Sequence, residues 1–134
     1  MTKTILFLAA AGLLASAAHA APRLTPEQEL AKAVEGRVAG KPVSCIDPRL
    51  NANSRVIDRT AIIYGSGRTI YVQQPVNANS LRSDDILVTE LFGTSRLCNI
   101  DIVRLIDRNG FWFRGFVNLN RFVPYTRIQT ASRD

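Results

Sequence analysis

Two cysteines constrain this chain more than any other feature. Cys45 stands in "PVSCI" and Cys98 in "LCNIDIVRLI", and no third thiol is present. Their spacing is wrong for a redox Cys-x-x-Cys, and two sulfurs without histidine do not complete a zinc site. Whether they stay reduced depends on the compartment, and the first twenty residues point to one. Lys3 is followed by an unbroken apolar and small-residue run, "ILFLAAAGLLASAA", and Ala18-His19-Ala20 has the small-x-small form of a cleavage site. Residues 1–20 therefore read as a cleaved signal peptide. The run is too short for a good membrane span, no later stretch is long and apolar enough to make one, and no cysteine follows the cleavage site to carry a lipid. Export, periplasmic or secreted, leads to oxidising conditions in which two thiols pair. The expected Cys45–Cys98 bridge closes a loop of roughly 50 residues and contributes on the order of 4 kcal/mol in the chain-entropy model. Alternation in "CNIDI" places Cys98, Ile100 and Ile102 on one strand face, toward the core.

Cleavage also changes the chemical inventory. The only histidine, His19, leaves with the leader. That removes imidazole-based nucleophile activation and histidine-ligated metals, so acid–base work would fall to carboxylates, Tyr or Lys. Loss of Lys3 from the 17 cations leaves 16 against 11 carboxylates, about +5. The arginines are spread evenly from Arg23 to Arg133 with no basic block, which argues against nucleic acid as a partner. Ser83-Asp84-Asp85, with Glu90 beyond, is the densest acidic group. It lacks the ligand spacing of a calcium loop and reads as a solvated turn entering a strand. No cofactor and no metal is expected.

The remaining chain reads as one domain of mainly β structure: a lead and helix over 21–40, a β domain over 41–127 and a frayed tail over 128–134. In "TPEQELAKAVEGR", Thr25 caps, Pro26 suits the first helical position and Gln28 completes a capping box. Leu30, Ala31 and Val34 form an apolar stripe, and Gly36 or Gly40 stops the helix. From Val43 onward, short β-rich runs alternate with small polar or glycine-containing turns, the pattern of meander hairpins. "SRVI", "TAIIY" and "RTIYVQQ" make three antiparallel strands, and "AIIY", apolar on both faces, suits a central one. "DILVTEL", "LCNIDIVRLI", "FWFRGFVNL" and "RFVPY" follow. Gly115 bends or bulges its strand, and Pro124 ends the last. The expected architecture is a small antiparallel barrel or a sandwich with one N-terminal helix.

"RVIDRT" at 55–60 and "RLIDRN" at 104–109 look like one element used twice. Each is read as the end of a strand entering a turn, Asp58-Arg59 in the first and Asp107-Arg108-Asn109-Gly110 in the second, where Asn109-Gly110 signals a two-residue hairpin. The competing reading makes Asp58 and Asp107 a converging acid and base. "FWFRGF" is the densest aromatic group. With Phe111 and Phe113 turned inward, Trp112 and Arg114 face outward, and with Tyr125 they form the candidate binding face.

The order "PVSCI", "RVIDRTAIIYGSGRTIYV", "LCNIDIVRLIDR", "GFVNLNRFVPY" resembles a family of small exported alphaproteobacterial proteins, of sphingomonad type, with no known activity. The resemblance covers about Gly40 to Arg127. It implies an architecture and no catalytic residues. A non-catalytic module for a protein or cell-envelope partner is the leading expectation. The alternatives are a small extracytoplasmic hydrolase working through Asp58, Asp101 or Asp107, and an inhibitor of a secreted hydrolase projecting "YGSGR" or "PVNANS".

Overall fold

The computed structural model describes residues 20–91 and 93–129. Residues 1–19 of the expected signal peptide (1–20) and 130–134 of the expected tail (128–134) lie outside the described residues. The elements are α1 (Pro26–Val34), β1 (Arg37–Ala39), β2 (Cys45–Ile46), β3 (Ser54–Ile57), β4 (Ala61–Tyr64), β5 (Thr69–Gln73), β6 (Asp85–Thr89), β7 (Leu97–Cys98), β8 (Ile102–Asp107), β9 (Phe113–Asn118) and β10 (Phe122–Arg127), with a 3-10 turn at Ala78–Ser80. All pairings are antiparallel. They form a five-stranded sheet, β1-β10-β5-β4-β3, a two-stranded ribbon, β2-β7, and a three-stranded sheet, β6-β8-β9. The chain is thus mainly β with one N-terminal helix, and its open, stacked sheets are those of a sandwich.

The helix forms where its capping signals lie. The Gln28 amide donates to Thr25 Oγ1 at 3.3 Å, and the Thr25 amide donates to Gln28 Oε1 at 2.9 Å. Two of the backbone donors left free at the helix start are thereby satisfied. Gly36, at φ +69°, takes the left-handed position beyond the helix end.

Two cores lie on either side of the five-stranded sheet. On one face Ile57, Ala61, Ile63, Ile70 and Val72 are buried under Leu30, Ala33 and Val34 of α1. On the other, Val56, Ile62, Tyr64 and Phe122 meet Val103, Leu105 and Val117 of the three-stranded sheet and Ile46 and Leu97 of the ribbon. The layers are helix, sheet, sheet. This explains why β4 is apolar on both sides: all four of its residues are buried. Gln73, fully buried beside Ile62 and Phe122, is satisfied by a reciprocal pair with the Asn120 backbone, donating at 2.6 Å and accepting at 2.8 Å.

Three local expectations are corrected. The run from Leu97 to Ile106 is not one strand. Asp101 Oδ2 accepts from the Cys98 amide at 2.7 Å and the Asp101 amide donates to the Cys98 carbonyl, so the chain turns at 99–101. The turn resets the alternation. Ile100 is 85% exposed, Ile102 points outward, and Val103, Leu105 and Asp107 face the core. Pro124 does not end the last strand. β10 continues to Arg127, because the Pro124 carbonyl points toward β1, accepting from Gly40 at 2.7 Å, just past the last β1 residue. The missing N–H points the same way and costs β5 no ladder bond. The hairpin after β8 is not a two-residue Asn109-Gly110 turn. The Asp107 amide donates to the Trp112 carbonyl at 3.0 Å, closing a four-residue loop. Its left-handed residue is Phe111, at φ +56°. Gly110 serves a different need: a Cβ there would overlap the Trp112 ring, which lies against it.

Candidate functional site

Cys45 and Cys98 are directly paired across β2 and β7 and form the disulfide, with Cα atoms 4.0 Å apart. Because only the turn at 99–101 separates β7 from β8, the bridge ties the start of β8, the middle strand of the three-stranded sheet, to the ribbon.

The two look-alike aspartates sit at turns but do different work. Asp107 is buried, and its Oδ1 accepts from the Asn109 and Gly110 amides at 2.8 Å each, holding its own hairpin. Asp58 is exposed and reaches away from its turn to accept from the Ser83 amide. The neighbouring Arg59, at φ +51°, donates its amide to the Leu81 carbonyl. Asp101 grips Cys98, as above. Each carboxylate proposed for hydrolysis thus binds backbone donors. Among the described residues no group of three or more metal-ligating side chains lies together. The loops considered for an inhibitor are tied back as well. Arg37 donates to the Gly67 and Arg68 carbonyls at 3.1 and 2.7 Å. Asn77 bridges the Phe116 carbonyl and the Asn118 amide at 2.9 Å each, closing the free edge of β9.

The structure does not bring Trp112, Arg114 and Tyr125 onto one face. Tyr125 lies on β10 of the other sheet, packed half-buried against the core beneath α1. The Arg114 side chain, 12% exposed, points inward and forks onto Asp85, with Nε to Oδ1 at 2.9 Å and Nη2 to Oδ2 at 3.2 Å. It also donates to the Ser80 carbonyl at 3.1 Å. Asp85, expected in a solvated turn, is instead buried, and it accepts in addition from the Arg82 amide at 2.8 Å. A buried carboxylate requires such a partner, and the guanidinium fork matches its geometry. Trp112 remains outward, 58% exposed.

The inversion of Arg114 comes from a bulge. Leu105 pairs with Gly115 and Ile106 with Phe113, leaving Arg114 as the extra residue, and Gly115 takes φ +142°. The extra residue breaks strict alternation, so Phe113 and Phe116, an odd number apart, share the outer face. Cross-strand pairing aligns them there with Ile106 and Arg104, and Ile102 lies two residues along β8 on the same face. Phe113 and Phe116 are 60% and 49% exposed. Together with Ile100, Asp101, Ile102, Arg104 and Glu90 they line a shallow cleft of about 350 Å³, so Asp101, one of the carboxylates considered for hydrolysis, stands at its wall while its Oδ2 holds the Cys98 amide. Arg104 Nη2 and Glu90 Oε1 pair at 2.8 Å within it. Ile86 and Val88 extend the apolar surface along β6, paired with Ile106 and Arg104. Sequence alternation alone turns Phe113 and Ile102 inward, and leaves Phe116 on the outward parity of Trp112 and Arg114. The signal for Phe113 is Gly115 in mid-strand, which marks a parity shift, and Ile102 is turned outward by the break at 99–101.

One further polar group stands out. The Tyr64 hydroxyl is buried and has no hydrogen-bond partner among the described residues. Burial pushes its phenol well above the ordinary tyrosine range. Its ring meets Phe122 edge-on, with centroids 5.9 Å apart.

No family model, no curated protein and no solved structure matches the chain. No helix among the described residues is long and apolar enough to cross a membrane.

Proposed function

We propose that this protein is a non-catalytic, extracytoplasmic binding module that holds a protein partner on the outer face of its three-stranded sheet. The observation that carries the reading is the cleft between Phe113, Phe116, Ile102 and the Arg104–Glu90 pair. Contiguous exposed aromatics around a single ion pair are the make-up of a protein-docking patch: apolar anchors in the middle, with a charged pair to fix orientation. The disulfide supports an oxidising compartment, in keeping with the leader read from residues 1–20. A hydrolytic reading draws no support from carboxylates that each secure backbone amides. The resemblance to small exported alphaproteobacterial proteins is consistent with this reading and adds no activity to it.

A photo-crosslinking residue placed at Phe116, with a control at exposed Val38 on β1, tests the proposal in living cells. The expected result is a discrete adduct from position 116 and none from 38. Equal, diffuse labelling from both positions would remove the assignment of this face.

A further inference from the structure

The duplicated arginine motif spends its cations differently in its two copies. In "RLIDRN", Arg104 pairs with Glu90, and the Arg108 guanidinium reaches the Asp85 carbonyl at 3.5 Å. In "RVIDRT", the Arg55 and Arg59 side chains make no hydrogen bond or ion pair among the described residues, and both are exposed. They stand at two adjoining clefts of about 730 and 650 Å³, which share Asp58 and Ser83 as common walls. Arg23 and Lys32 join Arg55 at the first cleft, and Arg82 joins Arg59 at the second. None of these five cations is ion-paired among the described residues. Glu29, Asp58 and Asp84 lie at the same clefts, so the corner keeps an excess of two positive charges. Asp58 is occupied in holding the Ser83 amide, which locks the 81–84 segment against the β3–β4 turn and fixes the spacing of Arg59 and Arg82.

We propose that this corner, built from α1, the β3–β4 turn and the 82–84 segment, binds phosphate groups, with Arg55 and Arg59 as the principal ligands. Four of the five cations are arginines, whose planar fork matches phosphate oxygens two at a time. Their spread over two neighbouring clefts fits an anion carrying more than one phosphate, or a surface presenting several, better than a single carboxylate. The overall positive charge would draw such an anion in at low ionic strength. The site is separate from the aromatic cleft, and the proposal does not depend on protein docking there.

The test uses two probes, pyrophosphate and vesicles of phosphatidylglycerol with phosphatidylcholine vesicles as control, at about 50 mM salt where phosphate contacts are strongest. Amide resonances report pyrophosphate binding, and co-sedimentation reports the vesicles. Pyrophosphate should shift the Arg59 and Ser83 amides. Arg55→Gln with Arg59→Gln should weaken binding roughly tenfold, the equivalent of one good charge-assisted contact. Arg49→Gln with Arg121→Gln removes the same charge from exposed positions outside the corner and should change affinity less than about twofold. Binding of phosphatidylglycerol vesicles as well would place the phosphate on a lipid headgroup, and pyrophosphate binding alone would place it on a soluble anion. Equal weakening in both double variants, or binding of neither probe by the unaltered protein, would overturn the assignment. All four positions are exposed, so an unchanged unfolding midpoint verifies that each variant is folded.

Discussion

The two larger sheets are built from strands of similar composition, and they differ in what lies on their outer faces. β4 reads Ala-Ile-Ile-Tyr and β8 reads Ile-Val-Arg-Leu-Ile-Asp, each with apolar residues on both sides. On the five-stranded sheet, Leu30, Ala33 and Val34 of α1 cover the second apolar face, and β4 is wholly buried. On the three-stranded sheet the inner residues Val103, Leu105 and Val117 are as buried as any in β4, while Ile102, Phe113 and Phe116 are left facing out. The apolar residues under α1 are accounted for by folding. Those on the outer face of β8 and β9 are surplus to it, which makes them the best candidates for a task outside the fold. The sheets also differ in how they are secured. One lies between two cores. The other depends on a covalent tie at its start and a buried ion pair at its bulge.

That contrast can be broken most severely at the disulfide. Cys45→Ser with Cys98→Ser should cost about 4 kcal/mol in chemical denaturation. Hydrogen exchange should show protection falling in β8 and β9 before β4 and β5. Simultaneous loss across both sheets would mean that the three-stranded sheet has no separate dependence on the tie. Next in size is the pair at the bulge. Arg114→Met should cost about 3 kcal/mol, because it strands a fully buried carboxylate. Adding Asp85→Leu should restore most of that loss, since an apolar pair of similar volume removes the uncompensated charge. A double variant as weak as the single would assign the cost to packing alone.

A smaller effect, of opposite sign, is expected between the sheets. Tyr64→Phe should stabilise the protein by about 1 kcal/mol, because it deletes a buried hydroxyl that has no partner. The same group carries a pH signature. Its folded pKa lies above the unfolded value of about 10, so its contribution is intact below pH 10 and is lost as pH rises beyond it. The unaltered protein should lose stability above about pH 10 with a slope of up to about 1.4 kcal/mol per pH unit from this group, and Tyr64→Phe should remove that part of the slope. Matching alkaline profiles for the two would show that the hydroxyl is solvated.

Much of this architecture is readable from local chemistry. Thr25, Pro26 and Gln28 write their helix start in adjacent residues, and the β3–β4–β5 meander is written in short runs and small turns. The cysteine pairing follows from there being only two thiols in the chain. What escapes such reading depends on partners distant in sequence or on a shift of parity. Arg114 turns inward because Asp85, 29 residues away, lies opposite the bulge. Alternation cannot anticipate that, and it places Arg114 beside Trp112 when the two part company. The turn at 99–101 hides in a stretch of good strand formers because one carboxylate, Asp101, captures the Cys98 amide. Asn109-Gly110 is a hairpin signal in which the glycine's lack of a Cβ serves the Trp112 ring and the positive φ falls to Phe111. The candidate site was therefore legible as an aromatic segment, but the outward turn of Phe113 and Ile102 was not.

The most direct test of the proposed function replaces the two surplus phenylalanines together. Phe113→Ser with Phe116→Ser should leave the unfolding free energy within about 0.5 kcal/mol per site, as for surface positions. The same double variant should lose the partner that crosslinks through position 116, read out with the crosslinker moved to the neighbouring exposed Ile102. A variant that holds its fold and loses the partner agrees with the account. An unfolded variant, or one that keeps the partner at full yield, contradicts it.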